Sequence, residues 1–335
     1  MTTMQVFHSL DQIPADLRPT VATIGNFDGV HLGHRSILDA VLADAHQRHA
    51  RALAITFDPH PQRFLRPDLP LALLTPMPER LRLLALTGID AVLVLPFDAA
   101  FCQLRARDFV EQILLRSLGV CSIHEGENFR FGYRAEAGVA ELARFGHEFG
   151  REFGRDQEFA VTVHPPVRLR QSASRSLDVS SSAIRERLLA SDLRTARHML
   201  GRPFAVRSHP ARGRGIGSRL LVPTVNLADY HGLLPAAGVY VTRMHIPGPD
   251  GTNRHTFRAV TNIGNRPTFA DASFAVESHI LDFEPVELTE ETPLELEFLM
   301  RLRPEIKWPS TEALKAQILR DVARAQRYFS RQRSL

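Results

Sequence analysis

Lysine is nearly missing from this chain. Among 335 residues it occurs only at Lys307 and Lys315, so almost all of the 41 basic side chains are arginine. That excludes a P-loop nucleoside triphosphatase, because no Gly-Lys-(Ser/Thr) exists and neither lysine follows a glycine loop. Cysteine is just as scarce. Cys102 and Cys121 are too few and too unpatterned for a disulfide framework or a zinc site. No apolar run reaches membrane-spanning length, and MTTMQVFHSLDQIP lacks the basic start and apolar core of a signal peptide. No solenoid repeat is visible either. The expectation is a soluble, cytoplasmic protein.

What remains is an ordinary globular composition, 44% hydrophobic and 23% charged, with a formal net charge of +4. The length suffices for two domains, each with its own core. Arginine is the planar, bidentate phosphate binder. Dispersed along the chain as they are, most of these arginines read as solvated surface.

One stretch organises the rest: Gly25-Asn26-Phe27-Asp28-Gly29-Val30-His31-Leu32-Gly33-His34. It follows an apolar run, Val21–Ile24, and precedes a helical pattern on which Leu38, Val41, Leu42 and Ala45 recur. A second apolar run, Ala52–Ile55, makes the unit strand–loop–helix–strand. Three glycines let the backbone approach a ligand, and a helix start offers free N–H groups and a positive dipole end. The two histidines add donors where phosphate charge develops. Two plainer readings stand beside this one: a tight turn with surface histidines, or a metal pair without a further ligand cluster.

The string resembles the opening of bacterial bifunctional riboflavin kinase/FMN adenylyltransferases, also called FAD synthetases, and His31-x-Gly-His34 is similar to the nucleotidylyltransferase HxGH signature. The resemblance implies that Gly25, Asn26, Phe27 and Gly33 line the nucleotide. It implies His31 and His34 at the transferring phosphate.

Further along, Thr56-Phe57-Asp58-Pro59-His60-Pro61 reads as a rigid strand-ending loop. The family has a similar Phe-x-Pro-x-Pro element near the nucleotide and flavin. Pro78–Leu86 and Ala106–Leu118 read as helices, and Ala91–Leu95 as a buried strand. Alternation of this kind argues a parallel sheet covered on both sides, a Rossmann-like α/β domain. Gly126-Glu127-Asn128-Phe129-Arg130-Phe131-Gly132 matches the family's Gly-x-(Asp/Asn)-Phe-x-Phe-Gly segment. On that match Asn128 touches nucleotide or flavin, and Phe129 and Phe131 offer the flavin an apolar, stackable surface. Read alone, both rings could be core and Asn128 a turn residue.

Gly138–Phe149 reads as a helix, Phe159–Val163 as a strand, and the polar run Arg168–Asp178 as a loop. Val179-Ser180-Ser181-Ser182-Ala183-Ile184-Arg185 then offers serine hydroxyls at a helix start. It resembles the family's (Ile/Val)-Ser-Ser-(Ser/Thr)-x-x-Arg motif. Carried over, Ser181, Ser182 and Arg185 hold the β- and γ-phosphates.

A Gly201-Arg202-Pro203 break ends this half, giving expected domains of 1–200 and 201–335. Strand patterns near Val206, Gly238–Met244, Phe257–Thr261, Phe274–Leu281 and Leu294–Leu302 suggest a small antiparallel β-barrel, closed by a helix over Thr311–Phe329. This half resembles the riboflavin kinase module in Pro223-Thr224-Val225-Asn226, Gly238-Val239-Tyr240, Asn262–Thr268, Val276-Glu277-Ser278-His279 and Arg301–Glu305. The match implies that Thr224 and Asn226 hold Mg²⁺ with ATP, and that Glu277 is the base toward the riboflavin 5′-hydroxyl. The segment Gly217–Val222 departs from the family's Gly-Arg-x-x-Gly-aromatic pattern. The family's Tyr-Gly before the last long strand is replaced around Glu284–Thr289.

The expected activity is therefore double: riboflavin and ATP give FMN, then FMN and ATP give FAD and pyrophosphate. Substrates are small molecules, with neither nucleic acid nor membrane as partner; self-association is compatible with the sequence. A rival is a single nucleotidylyltransferase for another acceptor with a non-catalytic barrel. Asn128 with its phenylalanines, and Thr224, Asn226 and Glu277 together, argue against it. An RNA-binding reading would want an aromatic-basic consensus on the barrel strands, and none is found.

Overall fold

The computed structural model describes residues 3–152, 159–170, 172, 176–211, 224–228, 230–247, 254–265, 274–281 and 288–332. Its contacts divide the chain into two compact units, Met1–Ser181 and Ser182–Leu335.

The first unit holds β1 (Gln5–Phe7), β2 (Thr20–Ile24), β3 (Arg51–Asp58), β4 (Ala91–Pro96), β5 (Val120–Gly126), the short pair β6 (Arg130–Phe131) and β7 (Ala137–Gly138), and β8 (Ala160–His164). Six of these form one sheet in the order β1-β4-β3-β2-β5-β8, parallel throughout. Both faces are covered, so its strands read as apolar runs; every residue of β2 is buried. On one face α1 (Leu32–Arg48) lays Leu38, Val41 and Ala45 against Val21, Ala52 and Ala54. The other face packs Ala22, Ile24, Leu53 and Ile55 against Phe109, Val110 and Leu114. Those three come from the Ala106–Leu118 region, which is helical as expected but wound as a π-helix over Phe109–Ser117. Between β3 and β5 the chain forms α2 (Pro61–Leu65), α3 (Met77–Ala85), α4 (Ala99–Cys102) and α5 (Ala106–Asp108); α6 (Val139–Glu152) follows β7.

The strand order reverses between β2 and β5. Loops at the carboxyl ends of those two strands therefore meet at a topological switch point, where open α/β sheets bind ligands. The Gly25–His34 loop leaves β2 there, and the Gly126–Gly132 segment leaves β5. The polar run after β8 is not a plain loop. Arg168–Arg170 (β9) and Ser176–Asp178 (β10) pair antiparallel, clamped by Arg168 Nε on Asp178 Oδ1 at 2.9 Å.

The boundary falls at the first residue of α7 (Ser181–Leu189); the second unit holds the rest of that helix and α8 (Leu193–Leu200), then turns to β structure. Its strands are β11 (Phe204–Ser208), β12 (Pro210–Ala211), β13 (Thr224–Leu227), β14 (Gly238–Pro247), β15 (Arg254–Asn265), β16 (Phe274–Leu281) and β17 (Leu294–Pro304). They form one antiparallel sheet in the order β11-β17-β14-β15-β16-β13-β12. Its two edges, β11 and β12, are consecutive in the chain, so the sheet curls back on itself as a half-barrel. Tyr240, Met244, Ile263, Ile280 and Phe298 are buried in it, while α9 (Thr311–Gln332) brings Ala325 and Phe329 to the apolar cluster of Val239, Val241 and Val260. A buried ion pair, Arg303 Nε to Asp321 Oδ2 at 2.8 Å, ties β17 to that helix. No helix among the described residues is long and apolar enough to cross a membrane.

Candidate active sites

The Gly25–His34 loop is held in a conformation that few residues adopt willingly. Phe27, Gly29 and Val30 all have left-handed φ, at 47°, 88° and 38°. For a β-branched valine this is strain, of the kind that persists where surrounding contacts enforce it. Here they do. Asp28, fully buried, accepts from Leu74 N at 3.1 Å and Thr75 N at 2.9 Å. Thr75 Oγ1 in turn accepts from Gly29 N at 2.9 Å. Phe27 is buried beneath the loop, where a Cβ on Gly25 would come within 3.2 Å of its ring. Its side chain supports the loop from below.

His31 caps α1. Its Nδ1 accepts from His34 N at 3.3 Å, which leaves the ring proton on Nε2. The two imidazoles stack with centroids 3.6 Å apart, and His34 meets Phe27 edge-on at 5.3 Å. Burial, then the neighbouring His31, then Arg80 hold the His34 pKa well below the usual histidine value. His34 is thus a neutral ring, and its Nδ1 is buried without a partner among the described residues. A side chain on Gly33 would press on the His31 ring, its Cβ 3.1 Å from that ring and 3.4 Å from Val179 O.

That last contact announces the second motif. Ser181 Oγ donates to Asp28 O at 2.8 Å, across 153 residues of chain. The bond joins Ser181 to the glycine loop within the first unit; Ser182 and Arg185 come next in the chain, on α7.

Asn128 is exposed in the turn after β5. Phe129 lies parallel to Phe131 at 5.4 Å, half-buried, while Phe131 is packed in the core. Ring contacts continue from Phe131 to Phe109, Phe101, Phe57, Phe97 and Phe64. Phe109 is the expected core residue of the Ala106–Leu118 helix, whereas Phe64, Phe97 and Phe101 escaped the reading of the sequence. Of these Phe97 directly follows β4, while Phe64 and Phe101 lie on α2 and α4. Two charged residues also escaped it. Glu125, 2% exposed, accepts from Ile24 N at 2.7 Å, and burial pushes its carboxyl well above the usual range. Arg80, 1% exposed, reaches Thr75 O with Nη2 at 3.3 Å.

In the second unit strand register does the assembling. Thr224 lies opposite His279, Asn226 opposite Glu277, and Glu277 opposite Asn262. Side chains directly opposite share a face, so Thr224, Asn226, Asn262 and Glu277 line one surface. Glu277 is exposed, between buried Val276 and Ser278. Burial lowers the pKa of His279. Gly264 leaves room for Glu305, whose Oε1 would stand 2.6 Å from a Cβ there. Hydroxyl, amide and carboxylate oxygens are the donors a hard Mg²⁺ ion prefers. A histidine–glutamate cluster elsewhere, His245 with Glu295 and Glu297, offers less, because Arg207 and Arg254 already neutralise Glu295. The segments Gly213–Gly217 and Gly217–Val222, and the stretch 266–268, lie outside the described residues.

Residues 13–172 match the family model described as FAD synthetase, and residues 200–329 match the one described as riboflavin kinase. The bifunctional riboflavin kinase/FMN adenylyltransferase of Escherichia coli (strain K12) is 32% identical over 329 residues, covering 98% of each chain. Its namesake from Pseudomonas fluorescens is 34% identical over 323 residues, 96% of this chain and 97% of that one. Among solved structures, one titled macrolide-efflux protein from Streptococcus pneumoniae superposes with a TM-score of 0.82 at 24% identity, covering 97% and 99%; it shows the shared fold. With both models matched in order and relatives aligned end to end, the chain belongs to the bifunctional riboflavin kinase/FMN adenylyltransferase family, a transferase that makes FMN from riboflavin and FAD from FMN.

Proposed function

We propose that the two activities are divided along the chain, FMN adenylylation within residues 1–200 and riboflavin phosphorylation within 201–335. The observation that supports the first half is the bond from Ser181 Oγ to Asp28 O at 2.8 Å, between the start of the serine motif and the glycine loop. In that site an FMN phosphate oxygen attacks the α-phosphorus of ATP, and the bond to pyrophosphate breaks. The nucleophile is already anionic, so the protein supplies alignment and charge stabilisation. His31, with its proton on Nε2, and His34 donate to the transferring phosphate. Ser181, Ser182 and Arg185 hold the departing pyrophosphate. Gly25, Asn26 and Gly33 frame the nucleotide, and Asn128, Phe129 and Phe131 face the flavin.

In the second half Glu277 accepts the proton of the riboflavin 5′-hydroxyl as that oxygen attacks the γ-phosphorus of ATP. Thr224 and Asn226 would hold Mg²⁺, which neutralises charge on the ATP phosphates. The setting we propose is the cytoplasm.

Replacing His31 and His34 together with alanine tests the first site. FAD formation from FMN should be lost while FMN formation from riboflavin persists. A double variant that makes FAD at the parental rate would refute the assignment.

A further inference from the structure

Glu125 is the second-last residue of β5 and is 2% exposed. The paired register of β2 against β5 ends at Ala22 and Ile123. Continued, it would set Ile24 opposite Glu125, but there each strand stays with its outer neighbour. Gly25 N bonds Ile55 O of β3 at 3.0 Å, and β5 keeps to β8, with Glu125 opposite Val163 and Gly126 opposite His164. Ile24 N, turned toward β5, donates to the Glu125 carboxyl, Oε1, at 2.7 Å. A side chain takes over from backbone pairing where the two strands part.

Ile24 is itself buried, so its N–H would be costly to leave unpaired. Glu125 shares a face of β5 with Ile123, which belongs to the apolar cluster of Phe109 and Phe131. His124 faces the other side of the sheet, bonded to Asp44 on α1 and to His164 on β8, each at 3.0 Å. Burial is the main influence on the Glu125 carboxyl and holds its proton on well above the usual range; the bond from Ile24 N acts the other way. A protonated acid still accepts that bond, and it adds no anion to a domain that gathers phosphates.

Ile24 immediately precedes Gly25, where the glycine loop begins, and Glu125 immediately precedes Gly126, where the Asn128 segment begins. The bond between them therefore fixes how far apart the two segments start. Adenylyl transfer depends on that spacing, because the FMN phosphate has to meet the α-phosphorus of ATP in line. At 2% exposure Glu125 does not itself meet substrate.

We propose that Glu125 is a positioning residue for adenylyl transfer, a side-chain bridge that sets the Gly25–His34 loop against the Gly126–Gly132 segment where β2 and β5 part. This rests on the reading of the first unit as the FMN adenylylation site.

The test compares the parent with Glu125→Gln, Glu125→Asp and Glu125→Met, all full length. It measures kcat and the KM values for ATP and FMN in FAD formation from supplied FMN. Riboflavin phosphorylation and thermal melting report folding. Gln reaches as far and keeps an acceptor for Ile24 N, so kcat should stay within a few-fold of the parent. Asp keeps the carboxyl but falls one methylene short, and Met keeps the length without the acceptor. Each should lower kcat by roughly tenfold to a hundredfold while both KM values stay within a few-fold. A folded Asp or Met variant with parental kcat overturns the proposal, as does a loss confined to KM. So does a Gln variant that loses as much as Met or does not fold. If Met fails to fold, Asp decides by the same criteria, and failure of both makes Glu125 a residue of the fold alone and overturns the proposal. The underlying reading fails separately, through a His31/His34 double variant that still makes FAD.

Discussion

Asn226 on β13 stands directly opposite Glu277 on β16, and Asn262 on β15 takes the next place in the same row. Three polar side chains from three strands are thus aligned by hydrogen-bond register alone, on a half-barrel whose interior is apolar. Truncating Asn226 to alanine should leave the sheet intact, since its side chain is only half-buried. Riboflavin phosphorylation should fall by roughly a hundredfold, the cost of a misplaced reacting group. More Mg²⁺ should be needed for half-maximal rate, and FAD formation from supplied FMN should not change. An unaltered Mg²⁺ requirement would argue that Asn226 serves the sheet and not the ion.

Glu125 supports a prediction about stability. Its carboxyl binds its proton more tightly folded than unfolded, because burial penalises the charge. The resulting stabilisation is full below the ordinary carboxylate range and is lost as pH rises through the raised value. Glu125→Gln preserves an acceptor for Ile24 N but removes the titration. The variant should melt with the parent at low pH and above it at mildly alkaline pH. Melting curves that run parallel across the range would contradict this.

The boundary between the units carries a third prediction. Leu193, Ala196, Met199 and Leu200 of α8 are buried, and the helix is capped by Asp192 Oδ1 accepting from Thr195 N at 3.1 Å. A fragment of residues 182–335 should unfold cooperatively and phosphorylate riboflavin. One beginning at Arg202 loses that helix, and with it about 1.5–3 kcal/mol for each large apolar side chain no longer covered. Its melting midpoint should drop or vanish. Equal midpoints for the two fragments would show that α8 adds nothing to this unit.

Much of this architecture was legible because it is local. A glycine loop between an apolar strand and a helical repeat needs nothing distant to be recognised, and His31, His34 and Gly33 fall where the pattern put them. The strand segments holding Thr224, Asn226 and Glu277 were equally plain, though their shared row is a matter of register. What escaped depends on contacts that spacing does not show. Arg80 reads as one more arginine on a surface helix until the fold buries it with its guanidinium on Thr75 O. Glu125 reads as the polar end of a strand until Ile24 N comes to it. The run Arg168–Asp178 looks like a loop because its order comes from cross-strand pairing and one ion pair.

Glu277→Gln tests the division of labour most directly. The side chain is exposed on an otherwise buried stretch of β16, so the amide should be accepted without loss of fold. It retains shape and hydrogen-bonding capacity but removes the basic oxygen, a role worth roughly two to four powers of ten. The measurement is the rate of FMN formation from riboflavin, ATP and Mg²⁺ beside that of FAD formation from supplied FMN, separated by chromatography. FMN formation should fall by roughly a hundredfold or more while FAD formation holds at the parental rate. Phosphorylation of riboflavin within a few-fold of the parent, or a matching loss of FAD formation, would contradict the account.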